Sequence, residues 1–324
     1  MCSKKAGCGD GSDLPGWIGV SMRRPSVRIS LITRDNDFQR EQSAAAEAAG
    51  VRLGMDVRTV YADNDAITQS QQLLQAIHNK AERPDAILVE PVGTGMPRVA
   101  RAVIAGIAWG VVNREVDYLP ELRRIAAAPV FAVSTNHTEV GQIQAKQFSA
   151  LLGDEEGTIL YIEGPGTGSV APLRAAAMKA NRPPRADVKT LKGDWTELSA
   201  FRAVRTWLSL STSRALHVRI VGCQNDAMAM GARKAFLEAE NSREWLSLPF
   251  TGCDGVPSTG QKWVRQGLLT ATVLTPPPMA LAMQTLWAAL RSGSQPSELT
   301  ASRSQSFPAI EALVGKPLAC GQHA

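Results

Sequence analysis

Short apolar runs alternate with helix-length segments along almost the whole chain, and that rhythm constrains the fold more than any single motif. "VRISLIT" (27–33) is followed by a helical stretch to Gly54, then "MDVRTVY" (55–61). "ITQSQQLLQAIHNKA" has apolar residues at helical spacing, and Pro84 opens "DAILVEP". The stretch "PRVARAVIAGIAWG" reads as a helix before "VVN", and "VFAVS" (130–134) follows a linker. The second half repeats the pattern. "GTILYIEG", "ADVKTLKG", "LHVRIVG", "LPFTGCDG" and "LTATVLT" each precede a helical segment. Strand alternating with helix at this spacing predicts parallel sheets with crossover helices, and two such series predict two doubly wound α/β domains facing each other. A chain of 324 residues is long enough for both.

In sheets of this kind ligands bind beyond the carboxyl ends of the strands, where strand order reverses. The informative residues are therefore those just after each apolar run. They are "TRDNDF" (33–38), Glu90, Asn113-Arg114, the loop "EGPGTGSVAPLR", Asp194-Trp195, Gln224-Asn225-Asp226 and Asp254. Planar hydrogen-bonding groups, two arginines and a large aromatic suit ring hydroxyls and the apolar face of a sugar, so the set predicts a small polyhydroxylated ligand.

Several other chemistries are excluded or disfavoured. "GPGTGS" (164–169) lacks the Lys-Ser/Thr ending of a P-loop and the G-x-G-x-x-G order of a dinucleotide fingerprint, and it reads as a turn between strand and helix. There is no G-x-S-x-G and no HExxH, and none of His78, His137, His217 and His323 stands at a strand tip. No catalytic residue, cofactor or metal ligand is assigned. The formal charge of +5 and pI near 9.1 are spread along the sequence without a basic arm, a weak hint of anionic partners and not a nucleic-acid signature.

No run approaches the roughly 20 apolar residues that span a bilayer. Residues 1–26 are rich in Gly, Ser and Lys, lack the apolar centre of a secretory signal, and read as a flexible leader. Two readings stand: a leader on a cytosolic protein, or a mature form in which Cys2 sits where a lipidated cysteine begins a bacterial lipoprotein. Cys223 and Cys253 lie in apolar runs and read as small buried hydrophobes. Cys2, Cys8 and Cys320 are terminal and could pair with one another, so the redox compartment stays open.

From about Val27 to Leu313 the chain resembles type I periplasmic binding proteins of the ribose/galactose class, whose fold is shared by effector domains of LacI-type repressors. The most specific pieces are "QNDAMAMGA" (224–232) and "TGCDGVP" (251–257), supported by "DAILVEPVG", "VVNRE", "VSTNHTEVGQIQAKQF" and the loop ending at Arg174. The resemblance implies ligand contacts from Asn113, Arg114, Arg174, Trp195, Asn225 and Asp254. Trp195 replaces the aromatic, often Phe, that stacks on the sugar. Phe38 matches the first-loop aromatic, while Gln39 stands where a second aromatic is common. Glu90, Asn113 and Thr275 replace the Asn, Asp and Gln of ribose binders, which puts ribose in doubt and leaves a sugar or cyclitol. Taken singly, each has a plainer reading. Asn225 and Asp254 could cap helices, the arginines could be surface charges, and Trp195 could be a packing residue. In this reading Asn225 faces a cleft and Asp226 starts the next helix.

The resemblance further implies crossings between lobes near Ser134-Thr135, Thr275-Pro276 and Ser306-Phe307. Residues 27–134 and 276–305 would form the first lobe, residues 135–275 and 306–324 the second. The expected role is a monomeric, periplasmic solute-binding component that delivers a sugar or cyclitol to an ABC permease or a sensor protein by hinge closure. The alternatives are a cytosolic sugar sensor related to LacI-type effector domains and an enzyme that has adopted the cleft. Twenty-six leading residues are too few for a helix-turn-helix with its hinge, so no direct contact with nucleic acid is expected.

Overall fold

The computed structural model describes residues 23–93, 96–103 and 106–315. Most of the leader, the last nine residues and Cys2, Cys8 and Cys320 lie outside the described residues. The first series runs β1 (Ser26–Leu31), α1 (Asp37–Leu53), β2 (Asp56–Tyr61), α2 (Ala66–His78), β3 (Ala86–Val89) and α3 (Pro97–Val103). It continues with β4 (Ala108–Val112), α4 (Leu119–Ile125) and β5 (Val130–Thr135). The second series is α5 (His137–Leu152), β6 (Gly157–Glu163), α6 (Val170–Ala180), β7 (Ala186–Lys192), α7 (Glu197–Leu208), α8 (Ser211–Arg214) and β8 (Val218–Cys223). There follow α9 (Asp226–Leu237), α10 (Ser242–Leu246), β9 (Phe250–Thr251), α11 (Gly260–Arg265) and β10 (Thr272–Leu274). The chain closes with α12 (Pro278–Ser292), β11 (Leu299–Ser302) and β12 (Gln305–Phe307).

Two parallel sheets result, one per lobe. The first has the order β11-β5-β4-β3-β1-β2 and the second β7-β6-β8-β9, so the order reverses between β1 and β3 and again between β6 and β8. Strands β3, β4, β5 and β8 are buried along their whole length, because crossover helices cover both faces of each sheet. The helix starts follow local chemistry. Asn36 caps α1 by accepting from the Gln39 amide, Asp65 caps α2 through the amides of Ile67 and Thr68, and Gly54 ends α1 in the left-handed conformation.

The two-lobed doubly wound α/β architecture expected from the sequence is therefore present, with three local differences. The stretch 97–110 is not one helix: α3 stops at Val103, Gly106 turns at φ 107°, and Trp109 lies wholly buried inside β4. The linker before β5 carries α4. Strands β11 and β12 were not expected; β11 adds to the first sheet in parallel beside β5, and β12 pairs antiparallel with β10. The chain thus leaves the first sheet after Thr135, returns to it in β11 and leaves it again before β12 pairs with β10.

Packing of α5 on α6 sets the position of the second lobe's site residues. At Gly141 a Cβ would stand 2.3 Å from the Arg174 carbonyl oxygen and 2.9 Å from the Ala177 Cβ, so the helices meet through bare backbone. Adding that methyl must push α6 away. Gly141→Ala is expected to lower unfolding free energy by about 1–3 kcal/mol, read from the urea midpoint at unchanged slope.

Candidate functional site

A cavity lies between the lobes at the carboxyl ends of the strands that flank both order reversals. It contains about 400 Å³ not filled by protein atoms, part of it open to solvent. The first lobe contributes Ile32, Thr33, Asn36, Phe38 and Gln39 after β1, Glu90 after β3, and Asn113 and Arg114 after β4. The second contributes Val170 and Arg174 from α6, Trp195 after β7, Asn225 after β8, and Asp254 after β9. Eight of the residues singled out from sequence (Phe38, Glu90, Asn113, Arg114, Arg174, Trp195, Asn225 and Asp254) meet here. Thr275 does not line the cavity; it is buried with its hydroxyl 3.4 Å from the Asp254 carbonyl oxygen. Asp194 is exposed and accepts from Thr196.

The polar groups of the first lobe are held by one another. Glu90, buried, accepts from Gln39 Nε2 at 2.8 Å and from Asn113 Nδ2 at 2.9 Å, and its carboxylate lies 3.9 Å from Arg114 Nε. Gln39, which stands where a second aromatic was expected, also accepts from the Ile32 amide at 3.1 Å. In the second lobe Arg174 donates to the Gln224 carbonyl at 2.5 Å, and its guanidinium carbon lies 5.9 Å from the Trp195 ring centre. Asn225 does both things considered for it. Its side chain caps α9 through the Met228 amide, donates to the Trp195 carbonyl at 2.9 Å, and borders the cavity. Asp226 is the first residue of α9 and faces away from solvent, accepting from Gly255 N at 2.8 Å and Thr272 Oγ1 at 2.7 Å.

Three cavity residues sit on strained backbone. Asn113, Trp195 and Asp254 have φ of 58°, 75° and 106°, three of the five non-glycine residues with positive φ among the described residues. For Trp and Asp such values cost free energy that the surroundings must offset, and strain of this kind concentrates at functional positions. Trp195 is kept there partly by Gly164, where a Cβ would stand 2.3 Å from the indole. The same residues carry polar atoms left over by the protein. Asn113 Oδ1, Arg114 Nε and Trp195 Nε1 are buried without a hydrogen-bond partner, and no described residue donates to the Asp254 carboxylate. Gly164→Ala should displace the indole, shifting tryptophan emission while leaving far-ultraviolet circular dichroism unchanged.

Basic and acidic side chains oppose one another across the cavity. Arg114 and Arg174 face Glu90 and Asp254, with Asp226 behind. Burial holds Asp254 well above the usual carboxylate range; Arg174 opposes this, while Asp226 and Glu90 reinforce it. Burial likewise lifts Asp226 to about 7, against the Thr272 hydroxyl, the Gly255 amide and Arg174. Burial also lowers Arg114, with Glu90 opposing and Arg174 assisting. Cys223 and Cys253 are buried free thiols raised by desolvation, in keeping with small apolar side chains.

His137 was passed over in the sequence because it follows a strand without standing at its tip. In the fold it is fully buried at the start of α5, between the lobes. The Arg174 Nε–H can only donate, so His137 Nδ1 accepts (3.4 Å) and the ring proton sits on Nε2, which donates to the Asn113 carbonyl at 3.1 Å. One imidazole thus joins a cavity-lining residue of each lobe. Its pKa is held well below the ordinary value by burial first and then by Arg174, with the Asn113 bond opposing and Arg114 assisting. The unfolded chain takes up this proton first, so the neutral ring's contribution is complete above about pH 6.5 and declines as pH falls. The stability of the native protein minus that of His137→Gln should drop between pH 7 and 5 by up to about 1.4 kcal/mol per pH unit, measured by urea titration.

The Gly164–Ser169 loop serves as a contact between lobes, where Ser169 Oγ accepts from the Glu115 amide at 3.0 Å. No group of His, Cys, Asp and Glu suited to a metal occurs among the described residues. No described helix is long and apolar enough to cross a membrane.

Residues 27–295 match the family model of the periplasmic binding protein domain. The chain is 28% identical over 255 residues to the D-allose-binding periplasmic protein of Escherichia coli K12, covering 77% of this chain and 78% of that one. It is 26% identical over 267 residues to the D-apiose import binding protein of Paraburkholderia graminis, covering 81% and 79%. Among solved structures, an ABC transporter solute-binding protein of Mycobacterium smegmatis with bound glycerol superposes with a TM-score of 0.74 at 24% identity. That match covers 91% of this chain and 98% of the other.

Proposed function

This chain belongs to the periplasmic binding protein family, and we propose that it encloses a neutral sugar or cyclitol between its lobes for delivery to an ABC-type permease. It is a solute-binding protein and not an enzyme. The observation that carries the choice of ligand is the composition of the cavity. Two buried arginines stand against two carboxylates, so a ligand bringing further net charge would unbalance it. Asn113 Oδ1, Arg114 Nε and Trp195 Nε1, buried without partners, and the Asp254 carboxyl on the cavity wall together offer acceptors and donors that the hydroxyls of a polyol satisfy from both sides. Phe38 from one lobe and Trp195 from the other supply apolar ring faces of the kind that cover a sugar. The names of the relatives, a D-allose binder and a D-apiose import protein, agree with this class.

The proposed working cycle is hinge closure in the periplasm by a monomer. The three crossings allow the lobes to part, and the ligand favours the closed form through contacts that only both lobes together provide. A membrane permease then reads the closed surface.

The test uses Trp195 as a reporter. The chain has seven tryptophans, so the response is the difference between the native protein and Trp195→Phe. Neutral sugars and cyclitols, starting with D-allose and myo-inositol, should change that difference signal, and their phosphate esters should not. Asp254→Ala should weaken the same binding by about ten- to a hundredfold, because a buried hydrogen-bond partner of the ligand's hydroxyls is lost. A response to phosphorylated ligands alone would turn the cavity into an anion site built on Arg114 and Arg174.

A further inference from the structure

At the far end of the first lobe, away from the cavity, a second pocket opens at the amino ends of β1 and β2, under the loop that joins α2 to β3. Its floor is Arg28, which is 8% exposed. Arg28 and Arg58 are register partners on neighbouring parallel strands, so their side chains leave the same face of the sheet side by side. Like charges in that arrangement repel. Arg23, Arg24 and Arg83 line the same pocket.

The acidic groups nearby are already engaged. Asp85 pairs with Arg23 at 2.7 Å, Glu82 with Arg58 at 3.4 Å, and Asp56 with Arg24 at 4.0 Å. Arg28 has no ion pair or hydrogen bond from its side chain among the described residues. Burial lowers its pKa, Arg58 lowers it further, and Glu82 only partly opposes them. Arg28, 8% exposed as a whole residue and with no side-chain partner among the described residues, lines a pocket that five arginines share, and guanidinium groups side by side recognise an oxyanion through paired N–H donors.

We propose that the pocket over Arg28 binds a phosphate group, held between Arg28 and Arg58 with Arg23, Arg24 and Arg83 around it. Two sources bring this chemistry, free phosphate and the headgroup of an anionic phospholipid. The site is separate from the inter-lobe cavity and needs nothing from the sugar-binding reading.

The test titrates the full chain with inorganic phosphate at constant ionic strength, set with chloride, and follows binding by calorimetry. Saturable binding is expected, weakened about tenfold or more in Arg28→Gln. Arg58→Gln, a change at an exposed side chain that leaves the sheet intact, should weaken it as well. Sedimentation with vesicles of phosphatidylglycerol, against phosphatidylcholine alone, separates the sources. Association that phosphate competes away and Arg28→Gln abolishes assigns the headgroup, while phosphate binding without vesicle association assigns the free ion. The absence of saturable phosphate binding overturns the proposal, as does binding unchanged in both variants. Binding lost in Arg114→Gln but kept in Arg28→Gln would place the anion in the inter-lobe cavity. That result would overturn this inference and the neutral-ligand reading separately from a failure of D-allose or myo-inositol to bind.

Discussion

The buried guanidinium of Arg174 is the constraint around which the cleft is organised. It is 2% exposed and forms no ion pair within 4 Å among the described residues. A charge in that position is tolerated only when hydrogen bonds and more distant opposite charges replace water. The Gln224 carbonyl and the neutral His137 ring supply the hydrogen bonds, the face of Trp195 adds a cation–π contact, and Asp226 and Asp254 are the acidic groups nearby. Each of these partners comes from a different element of the second lobe, so satisfying one arginine fixes the relative position of α5, α6, β8 and the loops after β7 and β9.

The same arrangement explains why the positions around the cleft are so specific in residue type. Asp226 anchors the loop after β9 to α9 through the Gly255 amide and β10 to α9 through the Thr272 hydroxyl, and that loop presents Asp254 at a backbone angle few residues adopt. The anchoring carboxylate is thus a step behind the cavity. It holds Asp254 at its strained angle and lends charge to Arg174, yet does not itself border the ligand space.

Much of this was legible in the sequence because the fold and the site use one signal. Apolar strands end where polar side chains begin, and parallel sheets bring those ends to one line, so listing residues after each run collected Glu90, Asn113, Arg114, Trp195, Asn225 and Asp254 together. What was not legible follows from contacts between distant segments. Strands β11 and β12 have no apolar run of their own, since each covers an edge and is only half-buried. Trp109 looked helical because Ala and Ile preceded it, and only the turn at Gly106 separates the two elements. His137 and Gln39 carry no motif. Their roles depend on Arg174, Asn113 and Glu90, which approach from 24 to 51 residues away. Thr275 matched a family position, yet its short side chain turns to the Asp254 carbonyl and does not reach the cavity.

The carbonyl of Trp195 accepts from two asparagines, Asn225 of its own lobe at 2.9 Å and Asn36 of the other at 3.2 Å. Asn36 is also the cap of α1, accepting from the Gln39 amide. In the proposed opening motion these bonds part unequally. Asn36 would swing away with its helix, while Asn225 stays, so the carbonyl is never stripped of every donor and the cap keeps its own amide. Separation then exchanges one shared contact for water and exposes no orphaned backbone group. In the proposed cycle this carbonyl therefore adds one exchangeable hydrogen bond to the closed form and no desolvation penalty to the open one.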